Sequence, residues 1–236
     1  MKKLVFILFF GSVLMSQAQG NKNDLLAHYE TYYKQMKLQG DVQGIINAIT
    51  HLNIISPSQA RKDTLAYLYT NSGKHVQALN TIGIEKNATD SDLAVEVKAV
   101  ALKALNQPKR SLEHYEVLFT RKQNSFYAYE IADLKIQMED LDGATEVIEF
   151  GLANAKDEMK YAYYESQTPY EVPIKAGFTY LKSLIAFKKD PNNIDGVVAI
   201  MDEALKIAPN FNLVNITKQA LLTRKKQEEE GSTPKQ

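Results

Sequence analysis

The chain has 236 residues, with 28 Lys plus Arg against 28 Asp plus Glu, four His, and no Cys or Trp. That balance excludes a basic nucleic-acid binder and an acidic disordered chain. The lack of cysteine excludes a disulfide framework, a zinc knuckle, an iron–sulfur site, thiol catalysis and a cysteine-linked lipid anchor. With 44% hydrophobic and 24% charged residues, a buried core is within reach, and the length suits about one domain.

The amino terminus reads as an address. Lys2 and Lys3 precede an apolar run from Leu4 to Met15 that only Gly11 and Ser12 interrupt. Such a run suits the hydrophobic centre of a secretory signal and is too short to span a bilayer. Ser16-Gln17-Ala18 places small residues three before and one before a cut after Ala18, so residues 1–18 are expected to be removed and the mature chain to start at Gln19. Losing Lys2 and Lys3 leaves 26 basic against 28 acidic residues, a net charge near −2, and no other segment approaches the apolar length of a membrane span. The expectation is an exported protein, periplasmic or extracellular, at a bacterial cell envelope, with no stable membrane insertion after cleavage.

From there a period of 33 residues organises the chain. Four segments align from Gly40, Gly73, Asn106 and Glu139, each opening on a turn-like residue. Five positions on stand Ile45, Ala78, Ser111 and Ala144, and four beyond those Ile49, Ile82, Tyr115 and Ile148. Twelve positions before the first column come Tyr33, Ala66, Ala99 and Ala132, so three of four copies place Ala where helices must approach closely. A displaced fifth copy supplies Val197, Met201, Ala204 and Pro209. Apolar and small residues recur at helical spacing in both halves of a copy, so each unit is two short helices that bury their stripes only by stacking on neighbours.

This pattern resembles the tetratricopeptide repeat family. Leu65, Ala66, Tyr69, Gly73 and Ala78 carry the resemblance in the second copy, and Ile131, Ala132 and Ala144 in the fourth, with Pro57 and Pro209 where the family often closes a unit. The family's early aromatic survives only as Tyr29, Lys98 stands where Leu is usual, and Gln107-Pro108 replaces the common turn. No copy carries the Thr-Pro-Leu-His signature of ankyrin repeats. The resemblance implies an all-α, right-handed superhelical solenoid of about five helix-turn-helix repeats, at about 26–58, 59–91, 92–124, 125–156 and 174–211, within a repeat domain of 24–211.

Two segments depart from the period. Ala144 and Val197 are 53 residues apart, so about 20 are inserted, around 157–173. There Tyr161, Tyr163, Tyr164 and Tyr170 gather, with Pro169 and Pro173 ending any helix. Insertions in solenoids map to loops on one face and often build binding sites; the plainer alternative is a helix extension plus loop whose tyrosines cover apolar surface. After the last copy, 212–226 reads as a capping helix with Leu213, Ile216, Ala220 and Leu221 on one face, and 227–236 as a solvated, disordered tail.

No phosphate loop, dinucleotide fingerprint, HExxH or GxSxG occurs, and His28, His51, His75 and His114 lie in different copies. The chain therefore reads as a non-enzyme with no cofactor and no metal site. In the family, the first helix of each unit lines a concave binding face. The resemblance puts on it Ala27, Glu30, Lys34 and Lys37, then Ala60, Asp63, Tyr67 and Thr70, then Leu93, Glu96, Val100 and Lys103, then Phe126, Tyr129, Asp133 and Ile136. The steps of three and four place each set on one helix face. Asp63, Thr64, Leu93 and Val97 occupy inner positions where the family's carboxylate clamps gather Lys, Arg and Asn, so such a clamp is not expected. The expected partner is a protein or peptide held by Tyr67, Leu93, Val100, Phe126, Tyr129 and Ile136, with no nucleic acid. The alternative is an envelope carrier or assembly component that binds a glycan or other small ligand through Tyr161, Tyr163, Tyr164 and Tyr170. Mass spectrometry of the exported protein is expected to find a start at Gln19 or within a residue or two of it; full-length chain in the membrane pellet would contradict the leader assignment.

Overall fold

The computed structural model describes residues 22–232. The leader at 1–18 lies outside the described residues, as do the last four of the tail. A first helix, α1, covers residues 22–39. It is followed by α2 (Val42–Ile55), α3 (Gln59–Asn71), α4 (His75–Ile82) and α5 (Asp92–Ala104) in a first compact unit. The second unit holds α6 (Pro108–Arg121), α7 (Ser125–Gln137), α8 (Leu141–Asn154), β1 (Lys160–Tyr163), β2 (Tyr170–Pro173), α9 (Ile174–Lys189), α10 (Ile194–Ile207) and α11 (Asn212–Ser232). In the first unit α3 packs against α2, α4 and α5, and in the second α7 packs against α6 and α8, α9 against α10, and α11 against α10, so the order of elements is that of the expected all-α helical repeat. No helix among the described residues is long and apolar enough to cross a membrane.

The 33-residue period is written into the helix ends. Ser58, Ser91 and Asn124, spaced by the period, cap α3, α5 and α7. The Ser91 hydroxyl accepts from the Ala94 N–H at 3.1 Å and the Asn124 carbonyl from the Tyr127 N–H at 2.9 Å, which supplies acceptors that a helix start otherwise lacks. The turn inside each of the first four repeats bends through a left-handed residue at Gly40 (φ 67), Gly73 (φ 71), Asn106 (φ 55) and Glu139 (φ 64), the four residues that open the aligned segments. Past that residue the chain closes on the preceding helix in the manner of a Schellman cap. The N–H groups of Asp41, Lys74 and Asp140 donate to the carbonyls of Met36, Tyr69 and Lys135.

Packing follows the small-residue columns. Ala66, Ala99 and Ala132 are fully buried, as are Ala78, Ser111 and Ala144. In the first unit Ala66 and Ala78 form one cluster with Val97, and Ile46, Ile49 and Leu65 form another. The second unit has a larger core that runs from Ala128 and Ala132 on α7 through Phe178 on α9 to Phe211 and Val214.

Lys98, in the position of the family's Leu, is almost fully buried. Its ammonium donates to the Asp90 carboxylate at 2.6 Å and the Glu85 carbonyl at 2.9 Å. Nearby, the Ser91 hydroxyl donates at 2.6 Å to Asp63, a buried carboxylate that also accepts from Gln59. The long connection from α4 to α5 is thus fastened where a shorter turn would need no fastening. Buried charges are tolerated because each has partners.

Two expectations are corrected. The insertion is an antiparallel β-hairpin, with Tyr161 opposite Val172 and Tyr163 opposite Tyr170. Its alternating aromatic and β-branched residues favour a strand over a helix extension or plain loop. The terminal helix continues past residue 226 to Ser232, so the stretch from 227 to 232, expected as disordered tail, is helical. Salt links at i,i+4 between Arg224 and Glu228, Lys225 and Glu229, and Lys226 and Glu230 support that extension.

Replacing Ala132 by Leu overpacks a fully closed contact and is expected to destabilise by about 1 to 3 kcal/mol. Ala78→Asp is expected to do more, because an unpaired carboxylate is buried. Thermal melts check both, and wild-type melting of both variants would show the register to be wrong.

Candidate functional site

The second unit carries an open cleft of about 390 Å³ lined by residues of α7, the hairpin, α9 and α11. α7 contributes Tyr129 and Asp133, one helical turn apart and both from the column that the family turns inward. β1 contributes Tyr161 and Tyr163, which point to the same side because strand side chains alternate. The segment just past β1 adds Tyr164 and Glu165, and α9 and α11 add Tyr180, Leu181, Leu184 and Leu213.

These rings are held by one another. The Tyr129 ring lies 4.1 Å from that of Tyr161 and 5.5 Å from that of Phe178, centroid to centroid. Tyr163 sits 4.6 Å from Phe211 and stacks on Tyr170 across the hairpin. The Tyr129 and Tyr163 hydroxyls share a buried hydrogen bond of 2.7 Å. The Tyr161 hydroxyl donates to Glu130 on α7, and the Tyr170 hydroxyl donates to Glu165, each at 2.5 Å. Tyr170 also accepts from the Leu213 N–H at 3.0 Å, at the start of α11. Each such aromatic pair contributes about 0.5 to 1.5 kcal/mol beyond burial, and a paired hydroxyl avoids the penalty of an orphaned one.

Glycine makes the close approach possible. A Cβ on Gly177 of α9 would meet the Tyr163 hydroxyl at 2.8 Å and the Tyr129 ring at 2.9 Å. A Cβ on Gly151 of α8 would run into the Phe178 ring. Both glycines lie inside helices, where they are costly unless packing needs them.

The two groups of candidate residues, expected as alternatives, meet here. Tyr129 of the partner-binding set and Tyr161 and Tyr163 of the ligand-binding set wall one cleft, because the hairpin lies against α7. The same packing corrects part of both sets: Tyr129 (4% exposed) and Ile136 (3%), and Tyr163 (7%) of the ligand-binding set, are core residues, so Tyr129 and Tyr163 back the cleft and offer it little open surface. Leu93 is half-buried against the Ala66 cluster. Tyr67, Val100 and Phe126 are exposed on their first helices, and Tyr164 is the most open tyrosine of the insertion, at 74%. Asp63 and Thr70, also from the inward column, are buried. Sequence reasoning missed Tyr180, Leu184 and Leu213; their only signal was helical spacing, which core residues share.

The first unit has a cleft of its own, about 490 Å³, with Tyr29, Tyr32, Asn47, His51 and Gln77 among its lining residues. Tyr29 stacks on His51 with centroids 4.3 Å apart, and the Lys74 ammonium donates to the Gln43 amide at 3.1 Å. No group of three or more metal-ligating side chains comes together among the described residues.

No family model matches the sequence, and no curated protein matches it. Solved structures do match the fold. YrrB, a TPR protein with an unusual peptide-binding site, aligns over 87% of this chain and 97% of its own at TM-score 0.64 and 13% identity. The chain has the tetratricopeptide-repeat fold. MamA gives TM-score 0.56 at 16% identity over 78% of this chain and 92% of its own. The Cut9–Hcn1 hetero-tetramer of the APC/C gives 0.55 at 13% identity, over 88% of this chain and 38% of its own. Within this tetratricopeptide-repeat scaffold, the hairpin is the feature that makes the cleft.

Burial pushes the Tyr129 hydroxyl well above its ordinary pKa, and the neighbouring Tyr163 and Tyr161 push it further. Burial and then the Glu130 carboxylate raise Tyr161. Burial raises Tyr163 although its bond to Tyr129 works the other way. Tyr170 is pushed up to about 12, by burial first and then by its bond to Glu165. A raised folded-state pKa means that the folded form keeps protons the unfolded chain has lost. The stability from these tyrosines is therefore complete below about pH 10, where free tyrosine ionises, and falls as pH rises through the folded values. Phenolate absorbance followed alongside circular dichroism is expected to show these tyrosines ionising only as helix is lost. Ionisation of all tyrosines near pH 10 with the helices intact, again judged against the ordinary value, would contradict the buried cluster.

Proposed function

We propose that this chain is a non-catalytic binding module, exported to the bacterial cell envelope, that holds a segment of a partner protein in the tyrosine-lined cleft of its second unit. The observation that carries the reading is the preformed aromatic wall. The half-buried Tyr161 is fixed against the core rings of Tyr129 and Tyr163 and by its hydroxyl bond to Glu130, so little ordering remains to oppose binding. Tyr164 stands open beside them, and rigid aromatics of this kind dominate interface energetics. YrrB, which has the same fold, is a TPR protein with a peptide-binding site. Export is supported by the basic, apolar and small-residue order of the first eighteen residues.

A glycan carrier fits this cleft less well. Sugars are recognised through hydrogen bonds, and the Tyr161 and Tyr170 hydroxyl protons already go to Glu130 and Glu165, while Tyr129 and Tyr163 bond to each other.

The test uses the exported protein purified from an envelope fraction with whatever stoichiometric protein it retains. Tyr164→Ala is expected to weaken that partner about tenfold or more, on the scale of a lost interface anchor, with melting temperature unchanged because the side chain is exposed. Phe126→Ala reports on the open face of α7 for comparison. Unchanged affinity in Tyr164→Ala, or no stoichiometric protein partner, would remove the cleft as the partner site.

A further inference from the structure

We infer that the outer edge of β1, which runs along the cleft of the second unit, takes up an extended segment of the partner protein as a third strand; this rests on the partner-binding reading above. Among the described residues the sheet has only two strands. Lys160 stands opposite Pro173, which has no N–H to give, and the Ile174 N–H donates to the Met159 carbonyl at 2.9 Å. Together these fix the phase of the ladder. Tyr161 with Val172 and Tyr163 with Tyr170 are the pairs that bond across the hairpin, so the N–H and C=O groups of Lys160 and Ala162 point away from β2. The far edge of β2 presents Glu171 and Pro173, and a proline there bars a further strand. Only the β1 edge can accept one.

The cleft lies along that edge. Five consecutive residues from Tyr161 to Glu165 line it, Ala162 included, whereas no residue of β2 does. A strand seen from its face shows every second residue, so a lining without gaps is a strand met edge-on. Lys160 is exposed and Ala162 half-buried, and among the described residues no hydrogen bond from outside the hairpin reaches either. A helical guest spends its main-chain groups on itself and would leave this edge unpaired. A second copy would bring a whole folded unit to a cleft of about 390 Å³ walled by helices. An extended partner segment fits both the space and the open donors and acceptors. Half of its alternating side chains fall on the Tyr161 and Tyr163 face of the sheet, where Leu184 and Leu213 stand. The guest is therefore a stretch of alternating apolar and polar residues with no proline at its pairing positions.

The experiment reads hydrogen exchange at single amides of the mature chain, alone and with the protein that co-purifies with it. Alone, the Lys160 and Ala162 amides are expected to exchange fast while those of Tyr161 and Tyr163 are slow; the bound partner is expected to slow the first two about tenfold or more. Ala162→Pro removes one outward N–H and no bond of the hairpin, so melting should hold while partner affinity falls about tenfold or more, because a partner carbonyl loses its donor. Ala162→Val keeps that N–H and should bind as the wild type does. Lys160 and Ala162 amides that are slow in the free chain, or that stay fast in the complex, would overturn the inference, whatever the proline variant does to folding. So would full affinity in a folded Ala162→Pro variant, or equal loss in Ala162→Val. Protection that rises with the concentration of the chain alone would assign the edge to a second copy, which also overturns it. Should Tyr164→Ala release the partner while the two amides stay fast, the cleft binds through side chains and only the present inference fails. Absence of a stoichiometric partner, or a partner indifferent to Tyr164→Ala, removes the underlying reading and this inference with it.

Discussion

The hydrogen bond between the Tyr129 and Tyr163 hydroxyls, 2.7 Å long and out of contact with water, ties an inserted hairpin to the first helix of the fourth repeat. Around it, Tyr161, Phe178 and Phe211 close ring against ring, and Gly177 is small enough to let Tyr163 reach Tyr129 over α9. Without that seat, β1 and β2 would be a two-stranded ribbon, and such a ribbon is at best marginally stable alone. With it, the hairpin becomes part of the second unit's core, and its outer tyrosines are held beside α7 as one wall of a cleft.

The repeats provide the platform for that seat. Each helix pair buries its apolar stripe only against its neighbours, and the fully buried Ala66, Ala99 and Ala132 set how closely they approach. In the first four repeats the turns hold register through a left-handed residue at one position, even where that residue is Glu139, a conformation that disfavours a side chain. At Lys98 the scaffold departs from its own pattern. The buried ammonium binds Asp90 and the Glu85 carbonyl, so an apolar packing position has become a polar anchor for the longer connection before α5.

Much of this was legible in the residues because periodicity reports local geometry. The segments beginning at Gly40, Gly73, Asn106 and Glu139 do begin at the turns, and the alanine columns do mark close packing. The inward column was legible as a helix face, but not what covers it. Tyr129 and Ile136 satisfy the spacing of groove residues and are nonetheless buried. An insertion some thirty residues downstream of Tyr129 settles on that face, and a contact between distant segments leaves no periodic trace. The hairpin was hidden for a related reason. Lys160–Tyr163 and Tyr170–Pro173 are only four residues each, too short for alternation to stand out, and their pairing depends on rings supplied by α7 and by Phe211 ahead of α11.

The central claim is that the hairpin folds as part of the second unit and not as a loop attached to it. Native-state hydrogen exchange of the backbone amides of Tyr161–Tyr163 and Tyr170–Val172 tests it most directly. The account predicts that the amides bonded across the hairpin are protected to the same degree as those of α7 and lose that protection together with them. Exchange of every hairpin amide at near-unprotected rates, with α7 still protected, would contradict it.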